Sequence, residues 1–272
     1  MAILADYHLH SSFSGDSEAP MEQMILSAIQ KGLHHICFTE HMDFNYPPQY
    51  LDNPDRFELD TDAYFSELLR LREKYQSKLQ IRFGVELGMQ PSCLRTNINY
   101  TREHFFDFII ASSHLCHGRD PYFPSFFEGR SEWEAYLEYF ESILENIRVF
   151  RNFDVYGHLD YVVRYGPSKD ENYTYAQYSD VIDEILTALI DNEKGIELNT
   201  AGLSNGLKGP NPCLDIIKRY KELGGEIITI GSDSHTPDTI SAHFDKAAGI
   251  LTDCGFKYYS VFENRVAEFI RI

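Results

Sequence analysis

The chain has 272 residues, 43% of them hydrophobic, and carries a formal charge of −18 at pH 7. That length suits one α/β barrel, and the apolar share suffices for a large buried core. The acidity, with Lys and Arg nowhere clustered, excludes a long nucleic acid as the main partner, because phosphate backbones require such clusters.

In chain order, "ILADYH" predicts a strand. "APMEQMILSAIQKGL" predicts a helix, with Pro20 suited to its first turn and Gly32 to its end. "HHICFT" predicts a second strand. Residues 42–60, "MDFNYPPQYLDNPDRFELD", form a long Pro/Asn/Asp-rich loop. Loops of that length are functional lids or plain surface insertions. "LDTDAYFSELLRLREKYQSK" predicts a helix, since Tyr64, Leu68, Leu71 and Tyr75 share a face. "LQIRFGVEL" and "FDFIIASSH" predict strands, and "RSEWEAYLEYFESILENIRVF" a helix. "FDVYGHLD", "GIELNT" and "GEIITIGSD" predict strands, with "YAQYSDVIDEILTALIDNE" and "CLDIIKRYKELG" as helices between them. "TISAHFDKAAGILTDCG" predicts a helix, "KYYSVF" a short strand, and the C-terminal residues a helical segment.

The strands are continuous apolar runs, as in sheets covered on both faces. The alternation predicts one domain over residues 1–272, a parallel (β/α) barrel, with an open doubly wound sheet as the alternative. The five cysteines, Cys37, Cys93, Cys116, Cys213 and Cys254, are scattered and never in a C-x-x-C pair. They fit a reducing compartment and speak against a disulfide framework or a thiolate zinc site. The N-terminus has no signal-peptide pattern, and no apolar run reaches membrane-spanning length. A cytoplasmic protein is expected.

The polar residues show a positional regularity. Nearly every predicted strand ends in a possible metal ligand: His8 and His10, Glu40 and His41, Glu86, His114, His158 and Asp160, Glu197 and Asn199, Asp233 and His235. In a barrel the C-terminal strand ends share one mouth, so these residues converge there. The H-x-H spacing puts both imidazoles on one strand face. Imidazole and carboxylate donors suit Zn²⁺, Mn²⁺ or Fe²⁺. The candidates exceed what one tetrahedral ion needs, so two or three ions sharing a bridging carboxylate are expected, with Glu86 as the bridge. Any one of these residues has an ordinary alternative as a hydrogen-bonded core histidine or a helix-capping aspartate. His34 and His35 precede a strand, at the wrong barrel end, and read as structural. His104 and His243 read as surface residues. His117 follows His114 by three positions; it could reach the mouth as a substrate-binding residue, though a surface role is the simpler reading.

"DYHLHSSFSGD", "ICFTEH", "GVELG", "ASSHL", "YGHLDYV", "ELNTAGL" and "GSDSHTP" occur in that order. Together they resemble the polymerase-and-histidinol-phosphatase (PHP) superfamily and the stand-alone histidinol-phosphate phosphatases within it. The resemblance runs from about Asp6 to Pro237. It implies a distorted (β/α)7 TIM-like barrel with a three-metal centre of Zn, Mn or Fe ions. It implies that His8, His10, Glu86 and Asp233 hold a first metal, that Glu86, His114 and His158 hold a second, and that Asp16, His41 and His235 hold a third. A carboxylate at position 16, where some members carry histidine, favours harder ions such as Mn²⁺ or Fe²⁺. Arg164 matches a phosphate-binding arginine. A second arginine expected near Ser204 is absent; Lys208 would then substitute, as a point charge without a bidentate fork.

The implied activity is hydrolysis of a small phosphorylated substrate, L-histidinol phosphate first. A hydroxide bridging the metals attacks phosphorus, and Asp233 or a metal-bound water protonates the leaving alkoxide. Nucleotides, sugar phosphates and phosphotyrosine are alternative substrates. An amidohydrolase-type C–N hydrolase is a further alternative, but no strand-end lysine is present to bridge its metals. A metal-binding domain without activity is the third reading.

Overall fold

The computed structural model describes residues 3–53 and 55–272. Its strands and helices alternate from the start: β1 (Ala5–Leu9), α1 (Met21–Gln30), β2 (His35–Met42), α2 (Thr61–Tyr75), β3 (Gln80–Gly88), α3 (Leu94–Glu103), β4 (Phe108–Ser112) and α4 (Glu132–Val149). They continue with β5 (Val155–Tyr156), α5 (Ser179–Asp191), β6 (Gly195–Asn199), α6 (Ala201–Ser204), α7 (Leu214–Glu222), β7 (Ile228–Gly231), α8 (Phe244–Asp253), β8 (Tyr258–Glu263) and β9 (Val266–Arg271). Among the described residues β1 to β7 form one sheet in sequence order, every neighbouring pair parallel. This is the expected (β/α)7 barrel.

The helices bury the faces that their periodicity predicts. In α2, Tyr64, Leu68 and Leu71 are fully buried and Tyr75 nearly so. Each such side chain contributes about 1.5–3 kcal/mol relative to exposure. Asp60 caps this helix, accepting from Ala63 N, and Ser131 with Glu134 forms a capping box at the start of α4.

Three elements differ from expectation, the four-residue α6 among them. The helix α3 was not anticipated, because its inward face is Asn97, Tyr100 and Thr101 and shows no apolar stripe. Asn97 is buried instead by donating to the Gly88 carbonyl. The C-terminal residues are not helical but form β9, antiparallel to β8. Asn264 and Arg265 make the two-residue turn, both at positive φ, as a tight hairpin requires. Asp107 anchors that turn, accepting from Asn264 N and, through its carbonyl, from Arg265 N, while the Arg265 side chain reaches Asp154. Such a long-range anchor has no local signal.

The barrel closes between β7 and β1 without a regular ladder. Asp233 N donates to His8 O, and His10 N donates to Ser234 O, both at 2.9 Å. The buried Asp6 carboxylate accepts from Ser232 N at 2.9 Å, Ser232 Oγ at 2.6 Å and Ser241 N at 3.0 Å. Burial pushes its carboxyl up to about 6, against these hydrogen bonds. Burial likewise pushes Asp160 up to about 6.

Asp6→Ala should destabilise the protein by about 2–4 kcal/mol, because it leaves buried donors unpaired. Denaturant titration reads this, and an unchanged midpoint refutes the role. Both carboxyls bind protons more tightly folded than unfolded. Their contribution is therefore full below pH about 4 and is lost as pH rises through about 6.

Candidate metal centre

Strand geometry delivers the site. The period of two sets Asp6, His8 and His10 on one side of β1, with Asp6 used for closure and the histidines at the mouth. His41 and Glu86 are register partners across β2 and β3, so their side chains meet. His114, His158 and His235 lie just beyond β4, β5 and β7. Asp233, also beyond β7, has φ 55, a conformation that aspartate tolerates better than most residues.

The fully buried Glu86 sits at the middle. Its Oε2 is 3.1 Å from His8 Nε2, 3.6 Å from His10 Nε2 and 3.0 Å from His41 Nδ1. Its Oε1 is 3.1 Å from His114 Nε2 and 2.8 Å from His158 Nε2. Asp233 Oδ1 is 3.7 Å from His8 Nε2 and 3.5 Å from His10 Nε2. Asp16 Oδ2 stands 3.3 Å from both His41 Nε2 and His235 Nε2. The residues thus fall into overlapping groups, each with its donor atoms within 4.8 Å of one another: His8, His10 and Asp233; His8, Glu86 and His158; His41, Glu86 and His114; His10, His41 and His235.

These groups fit divalent ions on their own chemistry. His8 Nε2, His10 Nε2, His41 Nδ1 and Glu86 Oε2 are buried without a hydrogen-bond partner, and all face the same space. Burial of so many unpaired polar atoms is costly unless something binds them. Burial, with His41 and His235 alongside, holds His10 well below the ordinary imidazole range, in its neutral, ligating form. Burial also disfavours a proton on His8, but Glu197, Glu86 and Asp233 outweigh it. On His41, Asp16 and Glu86 do the same, and on His114, Asp43 and Glu86. Those carboxylates require positive charge, which ions would supply in place of protons.

A surrounding set of groups fixes the imidazoles. Glu197 Oε1 is 2.6 Å from His8 Nδ1. Asp43 pairs with His114 Nδ1 at 2.9 Å. It fits there because residue 88 is glycine: a Cβ would stand 1.9 Å from Asp43 Oδ1. Glu40 accepts from Ser11 and Ser14, and Ser14 Oγ lies 3.0 Å from His10 Nδ1. Glu40 and Glu197, strand-end ligand candidates from the sequence, are therefore occupied in orienting ligands. Asp160 is occupied too, accepting from Asn211 Nδ2 and Cys213 N. Asp43 went unnoticed, although it follows His41 by one strand period.

Above the cluster opens a pocket of about 410 Å³. His41, His114, His158, Asp16, Asp233 and His235 belong to its lining. Arg164, nearly buried, donates from Nη1 to Asp233 Oδ2, from Nε to Asn211 Oδ1 and from Nη2 to Asn199 Oδ1. Burial raises the Asp233 carboxyl, but His8, His10 and Arg164 together hold it well below the usual carboxylate range. The lining also holds the aromatic rings of Tyr46, Tyr50, Tyr122, Phe123, Tyr161 and Tyr165, and Tyr161 packs against the candidate ligand histidines, 4.9 Å from His158 between ring centroids. Asp120 sits among these residues, 5% exposed, accepting from Tyr46 Oη and Tyr122 N.

Two expected substrate-binding residues are corrected. His117 turns outward and pairs with Glu138 and Glu145, each at 3.1 Å, away from the pocket lining. The exposed Lys208 faces Asp170 and also misses the lining. Ser204 is exposed, and its neighbour Asn205 lines the pocket instead. His34 is exposed and His35 half-buried, both at the far end of β2.

The PHP domain family matches residues 6–201 of the chain. A histidinol-phosphatase of Lactococcus lactis subsp. lactis is 37% identical over 95% of this chain and 94% of its own. A probable histidinol-phosphatase of Clostridium acetobutylicum is 36% identical over 98% of this chain and all of its own. The crystal structure of histidinol phosphate phosphatase from Lactococcus lactis subsp. lactis, complexed with zinc, L-histidinol and phosphate, superposes with TM-score 0.88. That pair is 33% identical and covers 97% of this chain and 98% of the other.

Elemental analysis of purified protein should find a complement of divalent ions that Glu86→Gln reduces by at least one per chain. A full complement in that variant would remove Glu86 from the bridging position. Glu197→Gln, which loosens His8, should weaken metal affinity about 10–100-fold.

Proposed function

Because the chain belongs to the PHP domain family, we propose that it hydrolyses L-histidinol phosphate to L-histidinol and inorganic phosphate, at a centre of two or three divalent ions. The carrying observation is the make-up of a single pocket. It is lined by carboxylate and imidazole donors, by Arg164, and by aromatic rings with the buried acid Asp120 among them. The substrate matches these groups with a phosphate dianion and a cationic amino alcohol bearing an imidazole.

His8, His10, Glu86 and Asp233 would hold one ion, Glu86, His114 and His158 a second, and Asp16, His41 and His235 a third. When bound, the ions supply Lewis acidity and an activated water at neutral pH. Arg164 offers guanidinium protons to the phosphoryl oxygens while its bond to Asp233 fixes its direction. Asp233, ion-paired and deprotonated, serves as ligand. An ion-paired carboxylate has no proton to give at neutral pH, so the donor to the leaving alkoxide is another group. Asp120 receives the substrate ammonium, and the surrounding rings take its imidazole and exclude water. The buried or half-buried free cysteines suit a reducing cytoplasm, and among the described residues no helix is long and apolar enough to cross a membrane.

Protein reconstituted with Mn²⁺, Fe²⁺ or Zn²⁺ should release phosphate from L-histidinol phosphate in preference to nucleotides, sugar phosphates and phosphotyrosine peptide. A preference for any of those others would replace the substrate. Asp120→Asn should raise KM for L-histidinol phosphate about tenfold or more, since a charged hydrogen bond is lost. For p-nitrophenyl phosphate, which has no ammonium, KM should stay unchanged; an equal rise for both would deny Asp120 this role.

A further inference from the structure

We propose that Arg56, carried on the 42–60 loop, contacts the phosphoryl group as a second guanidinium beside Arg164; this inference rests on the phosphomonoesterase reading. Among the described residues lining the pocket, Arg56 and Arg164 are the permanent cations, set against the carboxylates of Asp16, Asp43, Asp120 and Asp233. All three guanidinium nitrogens of Arg164 already serve Asn211, Asp233 and Asn199. Those bonds leave part of its hydrogen-bonding capacity for a ligand.

Arg56 is placed differently. Its Nε donates to the carbonyl of Gly15 at 3.0 Å, one residue before Asp16. Among the described residues its Nη1 has only Asp52 as a carboxylate neighbour, at 3.9 Å, and that side chain is 99% exposed. A pair so long and so wet holds the guanidinium weakly. The guanidinium also lies over Phe57, 5.6 Å from the ring centroid, and Phe57 meets His41 edge-on at 5.7 Å. Its stem is thus anchored against the Asp16 and His41 quarter of the metal cluster, while its outer nitrogens remain available. A planar fork of that kind matches a phosphate dianion better than a lysine ammonium does.

The seat is built for this approach. A Cβ on residue 15 would stand 1.8 Å from the Arg56 carbonyl oxygen, so only glycine admits the loop there. The loop base is closed by Asp43 N donating to Phe57 O at 2.9 Å. Arg56 is therefore tied to the two segments that carry Asp16 and Asp43, through its own Nε to Gly15 and through the next residue's carbonyl to Asp43.

Calorimetric titration of inorganic phosphate into Mn²⁺-loaded protein tests the proposal. Arg56→Ala should weaken phosphate binding about tenfold or more, as expected for loss of a charge-assisted hydrogen bond. Arg56→Lys should recover part of the loss, and L-histidinol should bind all three proteins alike. Unchanged phosphate affinity in Arg56→Ala overturns the proposal. So does an equal loss for phosphate and L-histidinol, which would mean that the loop has merely shifted. Failure of the phosphomonoesterase reading appears separately, as wild-type protein that releases phosphate from no monoester, and the phosphate titration still decides Arg56.

Discussion

A carboxylate sealed from water under a ring of imidazoles is the constraint from which the rest follows. Glu86 is fully buried with His8, His10, His41, His114 and His158 around it. An isolated buried charge costs several kcal/mol even after relaxation. It is tolerable only where opposite charge is held at contact distance, by ions when they are bound and by protonated imidazoles when they are not. Several of these imidazoles are fixed from their far side, and that support spreads outward. Glu197 holds His8, Ser14 and Glu40 hold His10, and Asp43 holds His114. Asn199 bridges Glu197 to Asp233, and Arg164 completes the ring.

Parallel strands in sequence order suit this arrangement. Each strand delivers one or two polar residues to the same end, so groups as distant as His8 and His235 meet without a long excursion of the chain. Rigidity there matters, because ligands must be placed to a fraction of an ångström. The aromatic part of the lining is built otherwise. Tyr46 and Tyr50 come from the 42–60 loop and Tyr122 from the loop after β4. The candidate metal ligands thus sit mostly at strand ends and the surrounding rings mostly on loops, the usual division in barrel enzymes.

Much of this was legible in the sequence because strand period and strand-end position are local properties. H-x-H, the isolated Glu86 and the G-S-D-x-H segment each show on inspection. What the sequence could not separate was a ligand from the residue that orients it, since both are carboxylates at strand ends. Glu40 and Glu197 differ from Glu86 only in what the neighbouring strands place opposite them. Asp43 needed the tertiary fact that Gly88 leaves room for it. The wall around Asp120 escaped because its rings come from separate loops with no shared spacing. His117 and Lys208 failed for the opposite reason, since nearness in sequence to a site residue does not set direction across a turn. The strand β9 depended on Asp107, far along the chain.

The net charge of −18 raises an apparent conflict with a phosphate dianion as substrate. It dissolves on the length scales involved. At physiological ionic strength surface charges are screened beyond about 8 Å. Inside the pocket the relevant separations are hydrogen-bond distances in a poorly solvated space, where a guanidinium or a divalent ion acts at nearly full strength. A single phosphoryl group in the pocket would therefore respond to the groups lining it, and hardly to distant surface carboxylates. A polyanion is different, because its remaining phosphates lie along the outer surface and meet that acidity directly. The acidic charge is thus compatible with a small phosphate ester as substrate.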